Sequence, residues 1–161
     1  MSVNTIKEII YKDDFLASEL LKPIDYSDTF ELSSEFTTID DFAKNYFLAQ
    51  PSWLRAISFG VFREKTLKKI LANCSFEKGD KIGQWGIYGR DENEIVFGQH
   101  MGFMEYCFTF HQESKQGIKV ATLVQYKGKM GKYYFAIASF LHKPFVQLSL
   151  KNVLDKGKKY D

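Results

Sequence analysis

The sequence predicts an α+β fold: a curved antiparallel sheet gripping a long C-terminal helix, with two further helices between the first and second strands. Three observations predict it. Apolar residues between 81 and 126 recur at a period of two, in four runs separated by short turns. Two earlier stretches, 37–50 and 51–72, repeat apolar residues at spacings of three and four. From Gly131 to about Leu154 runs an apolar segment of roughly 24 residues, about 36 Å of helix at 1.5 Å per residue. Helices grouped apart from a run of antiparallel strands are the mark of that class.

The elements follow in order. "DDFLASELL" (13–21) reads as a short helix whose acidic first turn suits the positive end of the helix dipole, and Pro23 closes it. "DYSDTFEL" (25–32) alternates as a half-buried strand, with Tyr26, Phe30 and Leu32 on one face and Thr29 and Glu31 on the other. "TTIDDFAKNYFLAQ" (37–50) is a helix capped by Thr37 or Thr38, with an apolar stripe of Ile39, Phe42, Ala43, Tyr46 and Phe47. Gln50 precedes Pro51 and is pushed out of helical geometry, so that helix ends there. Pro51 opens the second helix, which runs to about Ala72 with Trp53, Leu54, Ile57, Val61, Leu67, Ile70 and Leu71 as its buried candidates. Gly60 in its middle bends it or splits it in two.

Strands are expected at 81–89, 93–99, 103–112 and 118–126, joined as an antiparallel meander. In the third of these, Met104, Tyr106, Phe108 and Phe110 form an apolar face, and Phe103, Glu105, Cys107, Thr109 and His111 a mixed one. In the last segment, Tyr134, Ile137, Ala138, Leu141, Phe145 and Leu148 form the stripe expected to meet the sheet. Pro144 offers a kink, because its ring clashes with the carbonyl of Phe140. The alternative for 132–141 is a further strand, since "YYFAIASFL" is aromatic enough for one.

Composition narrows the function classes. The chain has 161 residues, 45% hydrophobic and 16% aromatic, which excludes a disordered segment. Fifteen Phe and nine Tyr mean either an unusually aromatic core or rings that line a hollow. Net charge is +2 and the basic residues are scattered, so the clustered basic face that nucleic acid demands is missing. Cys74 and Cys107 are far apart and fit buried thiols in a reducing compartment. No signal pattern opens the chain and no stretch approaches 18 uncharged apolar residues; a cytoplasmic protein without a membrane span is expected. Residues 1–155 read as one domain and the basic 156–161 as a mobile tail. No cofactor is expected, because there is no G-x-G-x-x-G, no P-loop and no metal-ligand spacing.

Four segments carry a resemblance: "DYSDTFEL" (25–32), "DDFAKNYFLAQPSWLRAI" (40–57), "EIVFGQHMGF" (94–103) and "GKYYFAIASFLHKPF" (131–145). In order and spacing they resemble a bacterial family of uncharacterised domains with no assigned function. That family is similar in turn to the helix-grip superfamily of birch-allergen-like proteins, START domains and polyketide cyclases. The resemblance implies a sheet wrapped around the C-terminal helix with an apolar cavity between them. The chain departs from the family pattern at Gly102 and Met104, where relatives carry an acid and a base, and at Pro144, which follows His142 rather than preceding it.

Candidate ligand-binding residues are Trp53, Arg55, Trp85, His100, Glu105, Tyr134 and His142. His142 lies on the flank of the apolar stripe near Phe135, either as a polar handle at a cavity rim or as a boundary histidine bonded to a local carbonyl. Glu105 and His111 share a strand face with His100 close by, as a candidate acid–base group or an ordinary solvated face. Arg55 beside Trp53 has the fork to hold a carboxylate, against a structural pairing of Arg55 and a core place for Trp53. Trp85 between Gly83 and Gly86 marks a bend or close approach. No catalytic residue is nominated. The leading expectation is a module that binds a small hydrophobic or amphipathic molecule. An enzyme acting on an aromatic or polyketide-type ligand, and an interaction domain with a filled core, are the alternatives; a homodimer is left open.

Overall fold

The computed structural model describes residues 5–11, 15–33, 38–114 and 117–157. The elements are β1 (Thr5–Ile9), α1 (Leu16–Leu20), β2 (Tyr26–Ser33), α2 (Ile39–Ala49), α3 (Ser52–Phe59) and α4 (Glu64–Ala72). There follow β3 (Lys81–Ile82), β4 (Trp85–Arg90), β5 (Glu94–His100), β6 (Met104–Ser114), β7 (Gly117–Tyr126) and α5 (Lys129–Gly157). The seven strands form one curved, open, antiparallel sheet in the order β1-β2-β7-β6-β5-β4-β3. Helices α2 to α4 carry the chain from β2 to the far edge. The meander β3–β7 then brings it back until β7 lies beside β2, and α5 lies on the inner face. The expected α+β architecture is present.

Local chemistry explains the boundaries. Thr38 caps α2 by accepting from the Asp41 N–H at 3.1 Å; Thr37, the other candidate cap, lies outside the described residues. α2 stops at Gln50, ahead of Pro51. The single helix expected over 51–72 is two, so three helices rather than two separate β2 from β3. Gly60 takes a left-handed conformation at φ 70° and ends α3. The strand expected over 81–89 is a β3–β4 hairpin turning at Gly83, whose φ is 60° and where a Cβ would lie 1.8 Å from the Phe59 carbonyl oxygen. The sequence reading missed β1, because this edge strand is mostly exposed and alternates weakly. Residues 12–14, part of the expected acidic first turn of α1, lie outside the described residues. So do 158–161 of the expected tail, whereas Lys156 and Gly157 belong to α5.

The inner face of the sheet holds the main core. Phe97 and Phe108 stack at 4.8 Å, Phe42 meets Phe110 edge-on at 4.9 Å, and Phe47 meets Phe59 at 4.7 Å. The aromatic excess therefore packs ring on ring. Two cavities of about 650 and 380 Å³ are open clefts elsewhere, beside β1 and Phe15 and between α4 and Asp80, and no residue of α5 lines either.

On the outer face, α1 packs through Ala17 and Leu21 onto Val96, Cys107, Ala121 and Leu123. Its first N–H groups are answered by a buried carboxylate: Leu16 and Ala17 donate to Glu94 at 2.7 and 3.1 Å. Thr109 donates to the same group at 2.5 Å, and His111 Nδ1 lies 3.4 Å away. The negative charge at the start of α1 thus comes from β5.

The phase of α5 departs from expectation. Phe135, His142, Val146, Leu150 and Val153 face the sheet, whereas Ile137 is 75% and Leu141 74% exposed, and Tyr134 and Leu148 are also exposed. Both faces of this segment are apolar, so periodicity could not choose between them. Close approach chose: Gly131 lies against β6's leading turn, where a Cβ would stand 2.1 Å from the Phe103 carbonyl oxygen. Residues 132–141 are helical, and the helix continues through Pro144. Trp53 and Ile57, expected in the core, are 51% and 68% exposed. Leu54 and Phe59 hold α3 instead.

Two outcomes follow. Replacing Gly131 with alanine should cost about 1–3 kcal/mol, as overpacking against fixed backbone does, measured by urea unfolding. The Glu94 hydrogen bond raises the His111 pKa above 6.5. Protonated His111 therefore stabilises the fold below about pH 6.5, and that contribution disappears as pH rises through the folded value. The stability gap between wild type and His111→Gln should be widest at acid pH and close towards alkaline pH; a gap constant with pH would contradict the pairing.

Candidate functional site

Strand parity, register and the phase of α5 bring five polar side chains to one place. Tyr26 and Asp28 of β2 share the inner face with Phe30 and Leu32. Across the sheet, Asp28 lies opposite Thr122 of β7, and Tyr26 opposite Val124, which in turn lies opposite Tyr106 of β6. His142 descends onto this group from α5. Its Nε2 is 3.0 Å from Asp28 Oδ2 and 3.1 Å from Thr122 Oγ1, and its Nδ1 is 3.4 Å from the Tyr106 hydroxyl. Tyr26 donates to the same Asp28 oxygen at 2.7 Å.

The carboxylate sets the ring's tautomer. A negative oxygen beside Nε2 requires a proton there, which leaves Nδ1 in the neutral ring to accept from Tyr106. The chain Tyr106–His142–Asp28 is thus a connected relay, with Tyr26 as a second donor to its acidic end. Burial, then the Asp28 hydrogen bond, pushes the Tyr26 phenol well above its ordinary value, and burial does the same to Tyr106 despite an opposing hydrogen bond with Thr122. Both phenols therefore keep their protons at neutral pH and remain donors.

The side chain of Asp28 is only 1% exposed, and its Oδ1 has no hydrogen-bond partner among the described residues. A buried acceptor left unpaired costs about 1–3 kcal/mol. The group also occupies a seam. On one side lies the main aromatic core, on the other a smaller cluster of Met104, Val124 and Phe135, and Tyr106 borders both. A polar relay in an apolar layer is a poor way to gain stability, because an isosteric apolar set is often as stable or more so.

The remaining sequence candidates lie apart from this group, with one exception. Trp85 is buried, donates through Nε1 to the Ser58 carbonyl at 2.6 Å, and packs 5.3 Å from the Tyr106 ring. His100 and Glu105 do pair, at 2.6 Å, but on the outer face, where Tyr88 donates to Glu105 at 3.1 Å and Lys127 lies 3.6 Å away. The expected Glu105–His111 pairing is absent, since His111 faces Glu94 instead. Two residues on one strand face six positions apart are about 20 Å from each other, beyond any direct coupling. Arg55 is buried; it donates to the Phe62 carbonyl at 3.3 Å and lies 3.9 Å from Glu64, bracing the turn between α3 and α4. Trp53 stands in solvent, so the two do not converge. Tyr134 is half exposed with its ring against Phe103.

Sequence reasoning reached His142 but missed Asp28, Tyr106 and Thr122 as its partners. One signal was available: the parity that buries Phe30 and Leu32 also buries Asp28, an acid with no business on an apolar face unless paired. Among the described residues, no group of His, Cys, Asp and Glu has the geometry of a metal site.

Removing one partner of the buried pair should cost far more than removing both. His142→Leu should lose about 3–5 kcal/mol, since it strands the Asp28 charge, and adding Asp28→Val should recover much of that loss. The check is a double-mutant cycle by chemical unfolding, in which additive losses would deny the coupling.

Neither a curated protein nor a solved structure matches the chain. A family model described as a protein of unknown function (DUF2867) matches residues 20–148. With that span running from the end of α1 into α5 and enclosing Tyr26, Asp28, Tyr106, Thr122 and His142, the chain belongs to the DUF2867 family.

Proposed function

We propose that this chain is a helix-grip-like binding domain for a small amphipathic molecule, whose polar end is a hydroxyl or amide that donates to Asp28. The reading rests above all on the Asp28 carboxylate: it is buried, oriented by His142 and Tyr26, and holds one oxygen without a donor. A ligand hydrogen bond there replaces an unmet desolvation cost, so it gains more than a surface contact does. The apolar part of the ligand lies along the seam between the two inner clusters, with Tyr106 and Trp85 as its aromatic walls. Because the aromatic core is packed, the ligand is small and enters where the first half of α5 covers the sheet. The order of strands and helices, with α5 laid across the inner face, supports the helix-grip comparison.

A second reading has its own observation. In the Tyr106–His142–Asp28 relay the imidazole, oriented by Asp28, is placed to take the Tyr106 proton, with the protonated phenol as a hydrogen-bond donor to a carbonyl-bearing ligand. Trp53, Arg55, His100, Glu105 and Tyr134 take no part in either reading.

Thermal-shift and native mass-spectrometry screens with hydroxylated fatty acids, sterols and aromatic polyketides test the binding reading. A true ligand at a hundredfold excess over its dissociation constant adds about 2.7 kcal/mol, which for a chain of this size raises Tm by about 5–10 °C. The rise should vanish in Asp28→Asn and survive in Trp53→Ala. No shift from any class, or a shift indifferent to Asp28→Asn, overturns it. Tyr106→Phe that keeps binding but loses turnover of the same compound selects the catalytic reading.

A further inference from the structure

The first two-thirds of α5 are apolar on the side that faces away from the sheet. Met130, Tyr133, Ile137, Phe140 and Leu141 are 68–82% exposed, and Leu148 continues the line at 38%. At about 100° per residue these six fall in an arc of about 100°, opposite the buried Phe135–His142–Val146 line. Isolated exposed apolar residues need no explanation, but a contiguous stripe of this kind marks an interaction surface.

Charge identifies the occupant. Lys129, Lys132 and Lys143 lie along one flank of the stripe, Lys151 extends the stripe itself beyond Leu148, and the sequence holds no Asp or Glu from 128 to 154. Glu8 of β1 answers Lys143. A second copy laid stripe to stripe offers the other lysines a single carboxylate from its own α5, Asp155 near the C-terminal end. The stripe is also a convex ridge, which a fluid interface receives without a matching groove. Tyrosine near one end and lysines along one edge are the composition of helices that lie in the headgroup plane, and among the described residues no helix is long and apolar enough to cross a membrane.

We propose that α5 docks this protein on an anionic lipid surface, with Ile137, Phe140 and Leu141 entering the acyl boundary and the lysine flank meeting phosphate. The surface lies on the far side of α5 from the His142 group, so this inference stands or falls independently of the ligand reading.

Vesicle cosedimentation of the full chain tests it, using phosphatidylcholine alone and phosphatidylcholine with phosphatidylglycerol. Wild type should bind the anionic vesicles about tenfold or more better, with the advantage lost in about 0.5 M salt. Ile137→Glu/Phe140→Glu should abolish binding, and Lys129→Glu/Lys132→Glu should remove the anionic preference. Unchanged melting curves would show that both variants fold, as their exposed positions allow. Wild type left in the supernatant with anionic vesicles overturns the proposal, as does undiminished binding by the Ile137→Glu/Phe140→Glu protein. A dimer in light scattering that Phe140→Glu dissociates, without vesicle binding, overturns it in favour of a second copy.

Discussion

The way α5 lies on the sheet governs most of what this protein can do. At one end Gly131 presses against the Phe103 carbonyl, so closely that any Cβ there would force the backbone to shift. At the other, buried Gln50 donates to the Ser149 carbonyl at 3.1 Å and accepts from Asn152 at 3.0 Å, pinning α5 to the end of α2. Between these two fixed points the helix has one phase available. That phase sets Phe135, Val146 and Leu150 in the core, and it puts a histidine over an aspartate. Rotating the helix by a third of a turn would bury Leu141 and expose His142, with little change in apolar content. Backbone proximity, more than hydrophobicity, made the selection.

The consequence is a polar group in a layer otherwise built for stability. Interiors are close-packed, and charges in them are costly unless each is paired and hydrogen-bonded. Asp28 is paired on one oxygen and unpaired on the other. The contrast with Glu94 is instructive. That second buried acid meets two backbone donors, the Thr109 hydroxyl and His111, and serves to anchor α1. Both acids sit on strands and both face a histidine. Glu94 is satisfied and structural; Asp28 is under-satisfied and lies at a seam between two apolar clusters. The difference in hydrogen bonding, rather than in residue type, separates scaffold from site.

The aromatic residues resolve differently from either simple expectation. Most of the phenylalanines fill the inner face by edge and stacked contacts, and burial pushes the Tyr46 phenol to about 12 among them. A minority of the rings sit outside: Tyr133, Tyr134 and Phe140 on α5, Trp53 at the start of α3, and Phe62 just after it. The chain thus invests rings both in a dense core and in an unpartnered ridge. The seam holding Tyr106 brings polar and aromatic groups together on the inner face.

Period, punctuation and composition were enough for the strands of the meander, the cap of α2, the break at Gly60, the long last helix and the α+β class. Each is a local property: alternation, a threonine before a helix, a glycine free to adopt positive φ. His142 stood out in the sequence for the same local reason, as a titratable group in an apolar run. What tertiary structure alone decided was who meets whom. Asp28 and Thr122 are 94 positions apart and become neighbours because β7 returns to β2. His142 joins them because Gly131 sets the helix phase. His111 turns to Glu94 rather than Glu105 because strand pairing, and not shared parity, determines distance. Periodicity says which residues share a face; when two faces are equally apolar, only the steric fit of backbone against backbone can say which one is turned inward.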